Sequence, residues 1–284
     1  MSEENSFEIA VIGGGPAGMS AALNAKIRNK KVAIFESQQL GGRIWLAPHV
    51  ENYLGFYDID GEELTQKFID HLTELEVPII EEKIVQIISM GDYFSLTSNQ
   101  ENYQAEQVIL ATGVNNQTQL DGEAEFLGQG VSYCATCDGQ LFKNKKVAVL
   151  GYAEESIEEA NYLAELAEAT YFIPQYEADL QELDSAVEVI DSDPEAIQGD
   201  NLVEKLVLAE ESLEVDGVFI LRPTVPTGEI ISGLELDDKY IKVNKNFETN
   251  IEGVYAAGDC TGPPLQLPKA VGEGQLAALN AVKK

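Results

Sequence analysis

Two short segments carry residue types that could do redox chemistry. In Cys134-Ala135-Thr136-Cys137-Asp138-Gly139, two of the chain's three cysteines stand in a C-x-x-C pair. One thiolate of such a pair attacks a partner disulfide and the other resolves the mixed disulfide, with Asp138 placed to move the proton. Spacing alone does not order the two thiols. Two cysteines at this spacing are also half of a zinc site, but the other half is missing, since the chain has only two histidines, His49 and His71, 22 positions apart. The third cysteine, Cys260, reads as a small packing residue.

The second segment, Gly13-Gly14-Gly15-Pro16-Ala17-Gly18, satisfies G-x-G-x-x-G, and Glu36 lies 18 residues beyond Gly18. This is the full context of a dinucleotide-binding turn. Gly13 makes the turn, Gly15 lets the backbone approach a pyrophosphate, Gly18 permits close helix–strand packing, and the helix N-terminus attracts the anion. Glu36 would accept hydrogen bonds from ribose hydroxyls. The pattern by itself does not choose FAD over NAD.

The elements that must position these residues follow from periodicity. The apolar run Phe7–Ile12, the glycine turn, an Ala-rich helical segment Met19–Ile27 and a second strand Lys31–Phe35 make one βαβ unit. A second unit recurs as a strand over Lys146–Gly151, a helix over Ser156–Ala169 with Ile157, Ala160, Leu163, Ala164 and Ala167 on one face, and a strand over Thr170–Ile173. The polar stretch Asn115–Thr118 suits a linker into that unit, and Lys245–Asn250 its exit. The strand-like Gly253–Ala257 reads as a return of the chain into the first domain. The expectation is an α/β protein of two Rossmann-like, three-layer nucleotide-binding domains. The first, 1–114 and 248–284, is discontinuous in sequence, and the second, 115–247, carries the C-x-x-C segment.

Composition bounds the function. At 284 residues, 44% of them hydrophobic and 24% charged, the chain is globular and long enough for about two domains. Its net charge of −31 opposes DNA, RNA or an anionic membrane face. No apolar run is long enough to span a bilayer, and Met1–Asn5 is acidic where a signal peptide would be basic. With so few cysteines, a cytoplasmic protein is expected. The acid-rich stretch Glu177–Glu214 is broken by Leu, Val and Ile at strand-like intervals, so it reads as the solvated face of folded structure.

Taken in order, Gly13–Gly18, Gly41-Gly42, Val50-Glu51-Asn52-Tyr53, Ala111-Thr112-Gly113, Cys134–Gly139 and Gly253–Asp259 resemble the low-molecular-weight thioredoxin reductases over nearly the whole chain. The resemblance implies a homodimer that binds FAD and reduces thioredoxin. It assigns Gly13, Gly15, Pro16, Ala17 and Glu36 to the adenosine diphosphate half, and Gly42, Arg43 and Asn52 to the flavin side. Thr112 and Gly113 would line the pocket and Asp259 would bond the ribityl chain. Arg43 stands where the family carries glutamine. The family's closing motif, an Arg-Gln pair before a Gly-x-Gly turn and helix, is matched by Leu265-Gln266 and Gly272-Glu273-Gly274, which keep the glutamine and lose the arginine. Gln266 and the backbone at Leu267 are then flavin contacts. A helix opened by Gly272 and Gly274 would aim its N-terminus at the flavin, unless these glycines simply permit tight packing. Trp45 reads either as an aromatic lid on the flavin or as ordinary packing. The resemblance also makes Cys137 the thiol against the flavin and Cys134 the one that attacks the partner.

The second unit departs from relatives that use NADPH. Gly151-Tyr152-Ala153-Glu154-Glu155-Ser156 keeps only the first glycine of a nucleotide turn, and Glu154 and Glu155 would repel a pyrophosphate from the helix start. After the next strand the chain reads Pro174-Gln175-Tyr176, with no Arg or Lys until Lys205 to meet a 2′-phosphate. Within the family this loss resembles the ferredoxin-dependent flavin thioredoxin reductases, whose donor delivers single electrons. Hydride transfer needs a nicotinamide in near-attack geometry, whereas single electrons need only closeness to the ring edge. An acidic ferredoxin would require a basic patch on this acidic chain. Lys26, Arg28, Lys30 and Lys31, or Lys143, Lys145 and Lys146, supply candidates, although such runs are usually solvated helix ends. Rival readings are an NAD(P)H-dependent or other-donor disulfide oxidoreductase and, from another class, a flavin-binding redox sensor.

Overall fold

The alternation of apolar residues in Ser6–Ile12 (β1) feeds directly into the helix Pro16–Lys26 (α1) and the fully buried strand Val32–Phe35 (β2). The computed structural model describes residues 5–113, 120–222 and 229–283, with Cys137 described in its backbone alone. The expected linker Asn115–Thr118 lies outside the described residues. The described chain divides into two units, Met1–Asn115 with Thr224–Lys284, and Asn116–Pro223.

In the first unit the chain continues through Gly61–Glu74 (α2), Ile79–Ile80 (β3), Ile84–Ser89 (β4), Phe94–Ser98 (β5) and Asn102–Leu110 (β6). β3, β2, β1 and β6 pair in parallel, and β6, β5 and β4 continue the sheet antiparallel. Ile9, Val11, Val32, Ile34 and Ile109 of this sheet pack with Met19, Ala21 and Ala22 of α1 in one core. Parallel strands joined through a helix need this buried crossover.

The second unit holds Val131–Ser132 (β7), the short helix Ala135–Asp138 (α3), Lys146–Gly151 (β8), Glu155–Ala164 (α4), Ala169–Pro174 (β9), Val187–Val189 (β10), Pro194–Gly199 (β11), Val203–Leu208 (β12), Ser212–Glu214 (β13) and Gly217–Leu221 (β14). A parallel sheet runs β10-β9-β8-β14-β7. β14 is buried at every position, as befits a strand covered on both faces. Ile157, Ala160 and Leu163 of α4 enter the core with Val147, Val149, Phe172 and Phe219. The helix expected to reach Ala169 stops at Ala164. Glu168 gives its amide to Lys145 at 2.8 Å and Ala169 pairs with Lys146, so strand pairing overrides the helical run. The acid-rich stretch is folded as expected, with β11, β12 and β13 forming an antiparallel sheet of alternating burial.

The chain then returns through Leu236–Asp237 (β15), Tyr240–Ile241 (β16), Val254–Ala256 (β17) and the helix Leu267–Ala281 (α5). The second unit ends at Pro223 and not at residue 247. The reason is burial: Ile230 and Ile231 are 3% exposed, and Ile230 accepts the amide of Ile87 on β4 at 2.8 Å. Farther on, Asn250 accepts the amide of Glu235 at 2.8 Å, which keeps the β15–β16 hairpin in the first unit. The return expected over Gly253–Ala257 takes the form of β17 pairing in parallel with the last residues of β6. Tyr255, fully buried, completes the core against Ala277, Ala278 and Ala281 of α5.

Candidate functional site

The first unit gathers its candidates at the C-terminal ends of β1, β2 and β6, where a Rossmann sheet binds its ligand. Gly13 has φ +109°, and a Cβ there would lie 2.3 Å from the Ala111 carbonyl oxygen. A Cβ on Gly18 would lie 1.9 Å from the Gly13 carbonyl, so the turn and the helix start are locked together by bare backbone. Gly15 is the extended N-cap of α1, with no side chain capping the helix and with Pro16 in the first turn. A Cβ on Gly15 would meet nothing within 4 Å, and Gly42, with φ +53°, approaches only the Gly15 Cα, at 3.8 Å. Beside this open cradle the Thr112 hydroxyl is buried without a hydrogen-bond partner, and Gly113 has φ +69° with nothing near its missing side chain. A helix start with no side-chain cap, a glycine cradle and an orphaned hydroxyl fit a dinucleotide pyrophosphate.

Glu36, at the end of β2, accepts the Gly14 amide at 2.8 Å on one oxygen and the Gln38 amide at 2.9 Å on the other. Each carboxylate oxygen keeps a lone pair for a ribose hydroxyl. Gly14, unremarked by the G-x-G-x-x-G pattern, is less constrained, because a Cβ there would meet the movable end of the Leu40 side chain at 2.3 Å and the Glu36 Cβ at 3.0 Å.

Asp259 follows β17 in a turn, Gly258–Gly262, that packs against the start of α1: a Cβ on Gly258 would sit 2.7 Å from the Ala17 Cβ. Burial holds the Asp259 carboxyl above its ordinary range, against the opposing charges of Lys269 and Arg43. Arg43, exposed in the short helix Gly42–Ile44, is thus electrostatically part of this corner. Asn52 donates to the Gln266 side-chain oxygen at 2.8 Å, which brings two of the expected flavin contacts into one pair. Leu267 is the first residue of α5, and its side chain packs with Val50, Ile59 and Leu64.

One expectation is corrected here. α5 does not open at Gly272 and Gly274; it opens at Leu267, with extended Gln266 as N-cap and Pro268 in the first turn, and both glycines lie inside the helix. Gly274 is there for packing, since a Cβ would lie 2.0 Å from the Ala17 carbonyl of α1. The helix terminus near the candidate flavin contacts is therefore at Leu267. Trp45 is half-buried and gives its amide to Gly42 at 3.2 Å.

In the second unit Cys134 is buried and disulfide-bonded at the entry to α3. Cys137 lies within that helix and Asp138 ends it. Ser132, not singled out from sequence, organises this corner. Its hydroxyl oxygen accepts the Cys134 amide at 3.1 Å and donates to Asp138 at 2.7 Å. Glu159 of α4 accepts the Ala135 amide at 3.0 Å, so a carboxylate caps the first turn of the redox helix.

At the degenerate turn after β8 the backbone is held by the neighbouring strands. Gly151 accepts the Gln175 amide at 2.7 Å and Tyr152 gives its amide to Leu221 at 3.1 Å. The Arg222 guanidinium lies 5.0 Å from the Tyr152 ring centroid. Arg222 is 3% exposed and Glu123 0%, and they form a two-pronged ion pair whose second contact is 2.8 Å. The Tyr133 hydroxyl donates to the same carboxylate at 3.0 Å. This network was invisible in sequence because Glu123 and Arg222 are 99 residues apart. Glu154 is the N-cap of α4 and Glu155 its first residue, as the sequence suggested.

Of the basic runs, the first is engaged within its own unit. Lys26 donates to the Glu76 carbonyl, Arg28 to that of Asn24, both at 2.9 Å, and Lys30 pairs with Glu8 at 2.8 Å. Lys143, Lys145 and Lys146 are exposed. Among the described residues, no cluster of metal ligands is present and no helix is long and apolar enough to cross a membrane.

Comparison with known proteins agrees with this geometry. The family model of the pyridine nucleotide-disulphide oxidoreductases matches residues 7–274. A thioredoxin reductase of Listeria monocytogenes is 32% identical over 302 residues, covering 99% of this chain and 95% of its own. The crystal structure of a ferredoxin-flavin thioredoxin reductase from Clostridium acetobutylicum superposes with a TM-score of 0.90 at 50% identity, covering 98% of this chain and 97% of that one. A thioredoxin reductase from Gloeobacter violaceus gives 0.79 at 26% identity, covering 98% and 94%. The chain therefore belongs to the pyridine nucleotide-disulphide oxidoreductase family and, within it, to the FAD-binding thioredoxin reductases with two Rossmann-like domains.

Proposed function

We propose that this protein reduces the disulfide of a thioredoxin through Cys134 and Cys137 and draws its electrons from a ferredoxin, not from NADPH. The observation that carries the choice of donor is the pair of carboxylates at the start of α4, in the turn after β8. There the Tyr152 ring stacks with a buried Arg222, and Glu154 and Glu155 stand where a pyrophosphate would need bare helix amides. Two added carboxylates at a helix N-terminus already satisfy its dipole and repel a dianion. The name and the 50% identity of the Clostridium acetobutylicum structure add support.

In this reading Gly13, Gly15, Pro16, Ala17 and Glu36 hold the adenosine diphosphate moiety. Gly42, Arg43, Asn52, Thr112, Gly113, Asp259, Gln266 and Leu267 hold the flavin side. Bound FAD supplies the reducing equivalents that open the Cys134–Cys137 disulfide. Asp138 takes the proton of the Cys134 thiol, and the resulting thiolate attacks one sulfur of the thioredoxin disulfide, forming an intermolecular S–S bond and releasing one thioredoxin thiolate. That thiolate receives the proton back from Asp138, and the Cys137 thiol proton goes to the second thioredoxin sulfur in the next step. Cys137 attacks Cys134 in turn, re-forming the intramolecular disulfide and releasing dithiol thioredoxin. The exposed Lys143, Lys145 and Lys146 are the basic surface that an acidic ferredoxin would meet, and the protein works as a homodimer in the cytoplasm.

The test is anaerobic. The flavin spectrum is recorded after adding NADPH, NADH or chemically reduced ferredoxin, each with and without oxidised thioredoxin. Bleaching by ferredoxin alone, with recovery on adding thioredoxin, is the expected result. Fast bleaching by either nucleotide would overturn the choice of donor.

A further inference from the structure

The closing motif lacks its arginine at Leu265, yet the structure puts a cation at the same corner four residues later. Lys269, in the first turns of α5, reaches back to the Gly258–Gly262 turn and donates to the Gly258 carbonyl at 3.0 Å and the Gly262 carbonyl at 2.7 Å. It also contacts the Thr261 hydroxyl at 3.3 Å and the Glu273 carboxylate at 3.1 Å. One ammonium thus grips both ends of a turn whose terminal glycines have φ +89° and +107°. Glu273, one helical turn on, closes the arrangement by accepting the Gly258 amide and the Thr261 hydroxyl, each at 2.9 Å. Lysine and glutamate side chains are only 15% exposed, which is unusual for residues that could reach solvent.

Between the two gripped ends sits Asp259. Burial and the Glu273 charge favour its neutral form, and the charges of Lys269 and Arg43 oppose them. An ionised, fixed carboxylate is what a polyol chain requires of an acceptor. A loose turn could satisfy the backbone without any charge, so the cost of burying an ion pair points to a role beyond shaping the loop.

We infer that Lys269 is a positioning residue of the flavin site: by clamping the Gly258–Gly262 turn, with Glu273 as its orienting partner, it fixes Asp259 for the cofactor. The inference rests on the proposed assignment of Asp259 to the flavin side and is independent of the electron donor and of the dithiol chemistry.

FAD dissociation is read from the rise in flavin fluorescence on diluting the holoenzyme, and the flavin midpoint potential by spectroelectrochemistry, for the wild type, Lys269→Met, Asp259→Asn and the double variant. Lys269→Met is expected to weaken FAD binding at least tenfold and to shift the midpoint potential in the same direction as Asp259→Asn, because its effect on the cofactor runs through the fixed aspartate. Adding Lys269→Met to Asp259→Asn is expected to cost less than a further twofold, since the lysine acts through the aspartate. Wild-type affinity in Lys269→Met would overturn the inference, and so would losses that multiply in the double variant. Should Lys269→Met not accumulate as folded protein, Glu273→Gln takes its place in the same cycle and is read by the same criteria.

Discussion

Ser132 holds Asp138 and Cys134 on one oxygen: it donates to the Asp138 carboxylate at 2.7 Å while accepting the Cys134 amide at 3.1 Å. The residue expected to move the proton is thereby tied to the backbone of the residue expected to attack. Ser132 is itself buried, so water cannot replace it readily. Ser132→Ala removes the hydroxyl that accepts the Cys134 amide and holds the Asp138 carboxylate. The expected outcome is a roughly tenfold slower thioredoxin reduction, equivalent to about 1.4 kcal/mol, with FAD content unchanged and activity recovered in Ser132→Thr. Stopped-flow reoxidation of the reduced enzyme by thioredoxin measures it, and a wild-type rate in Ser132→Ala would remove Ser132 from the mechanism.

The buried pair of Glu123 and Arg222 makes a different demand, on stability. Removing one partner strands a charge in the interior, which costs about 3–5 kcal/mol, whereas replacing both by apolar residues of similar volume is often neutral. Glu123→Ala is therefore expected to lower the urea midpoint strongly, and Glu123→Leu/Arg222→Met to restore most of it. Equal loss in the single and double variants would mean that Tyr133 and Tyr152 depend on the pair's charge and not on its volume.

The contrast between these two sites shows what can be read from a chain before it folds. The Gly13–Gly18 turn and its flanking strands are legible because the motif is contiguous: Gly18 answers to the Gly13 carbonyl five residues back and Gly13 to Ala111 at the end of the adjoining strand, while Gly15 faces open space. The return of β17 to β6 is legible from a short apolar run after a glycine. The start of α5 is marked not by Gly272 and Gly274, which lie inside the helix, but by Pro268 in the first turn and extended Gln266 before it. The run to Ala169 misleads for another reason: pairing with Lys146 wins over helix propensity. Lys269 and Glu273 have the i,i+4 spacing of a helix pair, a signal that could have been noticed, but the turn they grip is fixed only by tertiary structure. Glu123 and Arg222 offer no sequence signal at all.

Cys260 tests burial through titration. Its thiol is 2% exposed, and desolvation pushes its pKa up to about 12 from an ordinary value of 9.0. The folded state therefore holds this proton more tightly than the unfolded state. The stability this contributes is present in full below pH 9.0 and is lost as pH rises toward about 12. Iodoacetamide at pH 8 is expected to leave Cys260 unmodified in the folded, reduced protein and to label it after unfolding. Mass spectrometry of the tryptic peptide decides the matter, and rapid native labelling would show that the thiol is accessible. In Cys260→Ala the alkaline loss of stability above pH 9 should be smaller.

Gly272 and Gly274 share one helix and one sequence motif, yet their surroundings predict opposite responses to a single methyl group. A Cβ at 274 would lie 2.0 Å from the Ala17 carbonyl oxygen and 2.8 Å from its carbon, and both are backbone that a rotamer change cannot move. Gly274→Ala must push α5 away from α1, and α1 opens on the pyrophosphate cradle. A Cβ at 272 would meet nothing within 4 Å. There, alanine simply removes the conformational freedom that glycine gives the unfolded chain, which stabilises a helix interior by about 0.5–1 kcal/mol. The expected outcome is loss of bound FAD and a lower melting temperature in Gly274→Ala, with retained FAD and a slightly higher melting temperature in Gly272→Ala. Absorbance of the purified proteins at the flavin maximum and thermal unfolding read both. A fall in FAD content in Gly272→Ala would place that glycine against the cofactor, and normal FAD in Gly274→Ala would contradict the close packing of α1 on α5.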